Sequence, residues 1–260
     1  MPAPVASRRP QPTLGAGIVH LWIIPLDEQT DARAVAGLGP WEQERARRLL
    51  SGPVRDRYVA AHVALGRILG SYLGLDAASV PLAQSTGGKP FVVGAPLAFS
   101  LSHSSDLAVC AVAECGPLGA DIEYVRQIAD ADGIVRLMFD PGEAAEYATH
   151  TGPARVAAFF SAWTRKEAFL KATGDGLMRP LNSFQVVVSP TRPAGLVRLD
   201  GDDQAPGRWS LRSFVPAPGY VGALAIEGAL TSVEYFDSSE LPLHTMDPIA
   251  ARAARDARRS

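Results

Sequence analysis

Between Arg57 and Leu73 the apolar side chains Val59, Val63, Leu65, Ile68, Leu69 and Tyr72 recur at helical spacing, and Gly74 ends the run. Trp41 to Leu50 reads as a helix before it. A second stripe, Val156, Phe160, Trp163, Glu167 and Leu170, advances in steps of four, three, four and three, so the spacing predicts a long helix from about Pro153 to Ala172, stopped by Gly174. Short apolar runs bounded by turn residues predict strands at Ala98 to Ser102, Leu107 to Ala113, Leu118 to Tyr124, Phe184 to Val188, Trp209 to Val215 and Val221 to Ile226. The run from Gly15 to Leu26 follows Arg8 and Arg9 as a secretory signal would, but it contains His20 and ends in Pro25-Leu-Asp-Glu28 without a small-residue cleavage site. It reads as a first strand, and no segment is long and apolar enough for a membrane helix.

The two halves follow the same order of strand, helices, glycine stop and strands. This predicts an α+β protein, a pseudo-duplicated monomer of two similar α/β subdomains at residues 15–115 and 116–236, with the active site in the cleft between them. Residues 1–14 read as a flexible leader and 237–260 as a basic tail.

Composition narrows the field. Of 260 residues 47% are hydrophobic and 20% charged, a globular balance that excludes disorder along most of the chain. The 25 basic and 27 acidic side chains leave a formal charge of -2, which disfavours nucleic acid as a partner. Cys110 and Cys115 cannot build a disulfide framework, and the cytoplasm is the expected compartment. Only Lys89, Lys166 and Lys171 are lysines, arginine supplying the rest of the basic charge, so chemistry is a stronger reason than solvation for lysine at those positions.

On the Leu118 to Tyr124 strand the two-residue period puts Asp121 and Glu123 on one face, where they repel unless a cation bridges them. Glu167 falls in an apolar stripe and needs a partner: a metal ion, or Lys171 one turn onward. Lys166 points about 100° away from it. The Gly87-Gly-Lys-Pro90 turn lacks phosphate-loop spacing, and Ser102-His103-Ser104 sits at a strand end, where it offers two hydroxyls and an imidazole to an anion. Asp140-Pro-Gly-Glu143 reads as a capping box with structural acids. His20, His62, His150 and His244 show no ligand spacing, and the cysteines have no zinc-site company.

Taken together, Gly88-Lys-Pro90, Phe99-Ser-Leu-Ser-His-Ser104, Gly119-Ala-Asp-Ile-Glu123 and Trp163-Thr-Arg-Lys-Glu-Ala-Phe-Leu-Lys171 resemble the 4′-phosphopantetheinyl transferases, in particular the larger type that activates peptide and polyketide synthases. The resemblance covers about residues 17 to 227 and is strongest from 86 to 177. It implies transfer of phosphopantetheine from coenzyme A to a serine of an apo acyl or peptidyl carrier protein, with magnesium, or manganese in its place, and coenzyme A held between two α/β halves of a monomer. By the same resemblance Asp121, Glu123 and Glu167 hold the metal, and Lys166 and Lys171 approach the pyrophosphate. Gly88, Lys89, Pro90, Ser102, His103, Arg57 and Arg45 address the nucleotide, and Glu167 is the candidate base. Glu42 stands where some members carry a basic residue, and Arg165 fills a variable slot with no role carried over. Three other readings need separate tests: a magnesium-dependent phosphate-ester hydrolase, a coenzyme A or carrier-protein binder without turnover, and a Ser-His hydrolase, which lacks a Gly-x-Ser-x-Gly elbow.

Overall fold

A computed structural model describes residues 13–26, 32–50, 52–114 and 116–241. Most of the leader, the arginine-rich end of the tail, Cys115 and His244 lie outside the described residues.

The first half runs β1 (Ile18–Pro25), α1 (Ala32–Ala36), α2 (Pro40–Arg48), α3 (Pro53–Leu73), β2 (Leu82–Gln84), β3 (Pro90–Val92), β4 (Ala98–Ser104) and β5 (Leu107–Ala113). The second runs β6 (Leu118–Tyr124), α4 (Ala131–Met138), α5 (Pro141–Ala148), α6 (Gly152–Thr173), β7 (Phe184–Val186), β8 (Leu196–Leu199), α7 (Ala205–Arg208), β9 (Trp209–Phe214), β10 (Tyr220–Glu227) and β11 (Ser232–Asp237). Among the described residues no helix is long and apolar enough to cross a membrane.

Both long helices begin with proline in the first turn, where its missing N–H is no loss, and both end on a left-handed glycine, Gly74 at φ 65° and Gly174 at φ 76°. The backbone N–H of each glycine closes the last turn, on Gly70 O and Leu170 O. Leu65, Ile68 and Leu69 of α3 pack on Trp22, Ile24, Cys110 and Val112, while Phe160 and Phe169 of α6 pack with Phe184, Ala223 and Ala225. A further apolar cluster joins Leu21, Val109 and Ala111 of the first half to Leu118, Ala120, Ile122 and Leu224 of the second.

The larger sheet has the order β11-β1-β5-β4 and the smaller β6-β10-β9. In each half the first strand pairs antiparallel with the last and the last with the middle one, as β1-β5-β4 and β6-β10-β9. β11 departs from the sequence reading: though it falls in or beside the second half, it lies parallel to β1, from Ile18 opposite Ser232 to Ile23 opposite Asp237. Leu241 then packs with the first half's core, and its carbonyl accepts from Arg67. The hairpin β2-β3 and the strand β8 also escape the apolar pattern, because strands of three or four residues offer too few alternations to register, whereas β7 falls within the expected strand from Phe184 to Val188.

β4 and β6 are the facing edges of the two sheets and are joined by side chains. Ser100, Ser102 and Ser104 project from one face of β4, and their hydroxyl oxygens accept the amide N–H groups of Ala120, Ile122 and Tyr124 at 3.0, 3.3 and 3.0 Å. Each hydroxyl occupies the place a strand carbonyl would take.

α6 crosses β6 at Gly119, where a Cβ would stand 2.0 Å from Ala168 O and 2.4 Å from Ala172 N. Such contact demands that helix or strand move. Gly119→Ala is expected to destabilise the protein by about 1–3 kcal/mol through overpacking. Urea denaturation checks this, and an unchanged midpoint would contradict the close crossing.

Candidate active site

The serine joint and the helix crossing bring four motif residues together. Lys171 Nζ donates to Asp121 Oδ1 at 2.7 Å and to Ser102 Oγ at 2.8 Å, and Ser102 in turn donates to Asp121 Oδ1 at 2.9 Å. Ser102 thereby uses its one proton and both acceptor positions. Ser104 repeats the pattern two residues on, donating to Glu123 Oε2 at 2.8 Å, with Arg126 Nη1 3.8 Å from the same oxygen. Strand period two on β4 matches strand period two on β6, so each serine meets one acid.

Glu167 reaches the same place from α6. Burial first, then the charges of Asp121 and Glu123, push its carboxyl above the ordinary range against the pull of Lys171. Burial also pushes Glu123 up, opposed by the Ser104 hydrogen bond and reinforced by Asp121. The i to i+4 alternative is not formed: the ammonium of Lys171 bonds Asp121 and Ser102 and influences Glu167 only through space.

Asp121 Oδ2 is buried and has no hydrogen-bond partner among the described residues. A half-satisfied carboxylate beside two acids that repel it is a donor set suited to a hard divalent cation, which takes oxygen ligands. As the side chains stand, no group of three or more His, Cys, Asp and Glu among the described residues is arranged to hold a metal ion. The Lys171 ammonium already partners one oxygen of Asp121. The spare oxygen is what a cation would use.

Basic side chains come from β4, α3 and α2. His103 is exposed at the end of β4, yet crowding by the protein, then the positive charges of Lys171, His62 and Arg57, hold its imidazole below the usual value. Arg57 is paired with Asp106 in the bend after β4. Arg45 is exposed on α2, close enough to Tyr58 to bear on its hydroxyl. Glu42 does not face this recess as a free charge: its Oε2 accepts Gly39 N–H at 2.7 Å at the start of α2, and its Oε1 lies 2.6 Å from His62 Nδ1.

Two expected ligand contacts are corrected. Lys166 does not approach the three acids: its ammonium is fully buried on the opposite flank of α6, donating to both oxygens of Glu143 at 2.7 and 2.6 Å and to Phe184 O at 2.8 Å. The 100° step between neighbours on a helix sends Lys166 into the core when Glu167 faces β6. Lys89 likewise turns inward, its Nζ donating to Leu118 O and Ala172 O at 2.9 Å each, and burial pulls its ammonium down to about 8. It staples the turn to the C-terminal end of α6, whose carbonyls favour a cation. Gly88 supplies the turn's positive φ of 81°, while Pro90 opens β3 and lines, with Lys89, Phe91 and Phe99, a cavity of about 310 Å³.

Two roles were not apparent from sequence. Ser104, expected among hydroxyls for an anion, instead orients Glu123. Arg165, which had no role, is buried with its guanidinium on Val187 O, Ser189 O and Ser213 Oγ at 2.6, 3.0 and 3.0 Å. The signal for Ser104 was available in the alternation of serines in Phe99 to Ser104. For Arg165 there was none, because its partners lie more than 20 residues away.

The model of the 4′-phosphopantetheinyl transferase superfamily matches residues 117–225, which hold β6, α6 and both acidic motifs. The chain is 36% identical over 225 residues to the 4′-phosphopantetheinyl transferase HetI of Nostoc sp. (strain PCC 7120 / SAG 25.82 / UTEX 2576), covering 84% of this chain and 92% of that one. It is 32% identical to the transferase psf-1 of Bacillus pumilus over 77% of this chain and 86% of that one. To the transferase Sfp of Bacillus subtilis (strain 168) it is 28% identical, over 62% and 71%. With its fold and acid-lined site described, the chain belongs to the 4′-phosphopantetheinyl transferase superfamily, and specifically to the group that includes the larger Sfp-like enzymes.

The repulsion among the acids has a measurable consequence. A carboxyl raised on folding binds its proton more tightly in the folded state, so stability is lost as pH rises from the unfolded value through the raised one. Glu167→Gln is therefore expected to be more stable than the parent at pH 7, the difference vanishing below about pH 4. Urea titrations at both pH values check this. Equal stability at pH 7 would contradict the repulsion.

Proposed function

We infer that this chain transfers 4′-phosphopantetheine from coenzyme A to a serine of an apo acyl or peptidyl carrier protein, releasing 3′,5′-bisphosphoadenosine. Membership of the superfamily carries the reaction, and the observation that supports its location here is the convergence of Asp121, Glu123, Glu167 and Lys171 on the β4–β6 joint.

Asp121, through its spare Oδ2, Glu123 and Glu167 would hold magnesium. Bound there, the ion would neutralise pyrophosphate oxygens. Phosphoryl transfer depends chiefly on positioning and charge neutralisation. Lys171, fixed by Asp121 and Ser102, presents a cation at the acid cluster that can take charge on the leaving nucleotide. His103, Arg57 and Arg45 would receive the nucleotide's phosphates, since each offers donors to anionic oxygen. Glu167, whose carboxyl belongs to the same acid cluster, is the candidate base for the serine proton.

The repeated strand order of the two halves supports a duplicated unit with the site at its seam, and the enzyme acts as a monomer on this reading. The test is intact-mass spectrometry of an apo carrier protein incubated with this protein, coenzyme A and magnesium. One phosphopantetheine adduct is expected, absent with chelator and absent for Glu167→Ala, whose circular dichroism should match the parent. Transfer by that variant at parental rate would contradict the role of Glu167, and release of phosphate without an adduct would favour a hydrolase.

A further inference from the structure

Three consecutive side chains of α6 carry charge, and each leaves the helix in a different direction. Arg165 and Lys166 are almost wholly buried, at 1% and 0% exposure, whereas Glu167 is half-buried beside the β6 acids. Each buried cation is held by groups from other elements. Lys166 meets Glu143, also fully buried, whose carboxylate additionally accepts the N–H of Asp140 at 2.8 Å and of Val186 at 2.7 Å. The Lys166 ammonium also lies 4.2 Å from the centre of the Phe184 ring. A single ion pair thus ties α6 to the start of α5 and to β7. Arg165 ties the same turn of α6 to the chain beyond β7 and to Ser213 of β9.

Buried ion pairs are a poor source of stability, since desolvation offsets much of their attraction, but they tolerate little misalignment. Apolar burial sets the rotation of α6 less sharply, because apolar side chains are buried or half-buried on both flanks: Val156, Phe160, Trp163 and Leu170 on the one that carries Glu167, and Ala158, Ala162, Ala168 and Ala172 on the other. Two directional cations on adjacent residues add a sharper constraint, because a rotation that frees one breaks the bonds of both.

Resting on the transferase reading above, we propose that Arg165 and Lys166 are positioning residues that lock the rotation of α6, so that Glu167 faces Asp121 and Glu123. Neither cation touches substrate on this view. Their effect passes through the direction of one carboxylate, and a small misplacement of a catalytic group can lower a rate by up to about a hundredfold.

The test replaces the ion pair by neutral side chains of similar length, Glu143→Gln with Lys166→Met. Gln can still accept one of the backbone N–H groups. Thermal unfolding with and without magnesium is followed alongside carrier-protein loading. The expected variant is folded, loses at least about tenfold in kcat with little change in KM for coenzyme A, and shows a smaller magnesium-dependent rise in Tm than the parent. Arg165→Lys, which keeps the charge but not the fork, should shift both readouts in the same direction. Parental kcat and parental magnesium response in a folded variant would overturn the proposal. If neither variant folds, the two cations serve as structural props alone and the proposal likewise falls. Failure of the underlying reading looks different, because the parent itself would then load no carrier protein while its magnesium response could still be compared with that of the variants.

Discussion

Two sheet edges that share no backbone ladder are held together by three serine hydroxyls, and the site depends on that joint. Ser100, Ser102 and Ser104 give the N–H groups of β6 acceptors where β4 offers no carbonyls, which relieves an edge that would otherwise leave donors unpaired in a buried seam. Because a hydroxyl donates as well as accepts, the joint has protons left over. Ser102 and Ser104 direct theirs to Asp121 and Glu123. Fold and site therefore share the same atoms, and the seam between the halves cannot loosen without releasing the carboxylates.

The charge distribution follows from that arrangement. Three acids from β6 and α6 crowd together, two of them raised by burial and mutual repulsion, with Lys171 giving partial relief. Burial and the positive charges of Lys171 and Arg57 hold the His103 imidazole below the usual value. A cluster of acids that repel one another is a donor set that a hard divalent cation would relieve. Folding free energy is spent on holding it, and the glycine crossing at Gly119 and the buried cations of α6 maintain the geometry against that repulsion.

Much of this was legible from sequence, and the reasons differ by feature. Helical stripes and glycine stops revealed α3 and α6 because periodicity is local, and Glu167 stood out because a carboxylate interrupted an apolar stripe. Asp121 and Glu123 were readable from strand alternation. β11 was not readable, since its parallel partner lies over 200 residues earlier in the chain. Lys166 and Lys89 were misassigned for one reason: a lysine in a functional motif carries no mark of whether its ammonium meets a ligand or a buried protein oxygen. Glu143 was recognised as part of a capping box, and the structure adds that its carboxylate also serves as the counter-ion for Lys166. Tertiary partners of this kind become visible only once the elements are packed.

The most direct test of the account is anomalous diffraction from crystals grown with coenzyme A and manganese, collected at the manganese absorption edge. A peak is expected within coordination distance of Asp121 Oδ2 and of carboxylate oxygens of Glu123 and Glu167, with the pyrophosphate between it and the side chains of Lys171 and His103. Coenzyme A bound with its pyrophosphate remote from these carboxylates, or a manganese peak elsewhere on the protein, would contradict it.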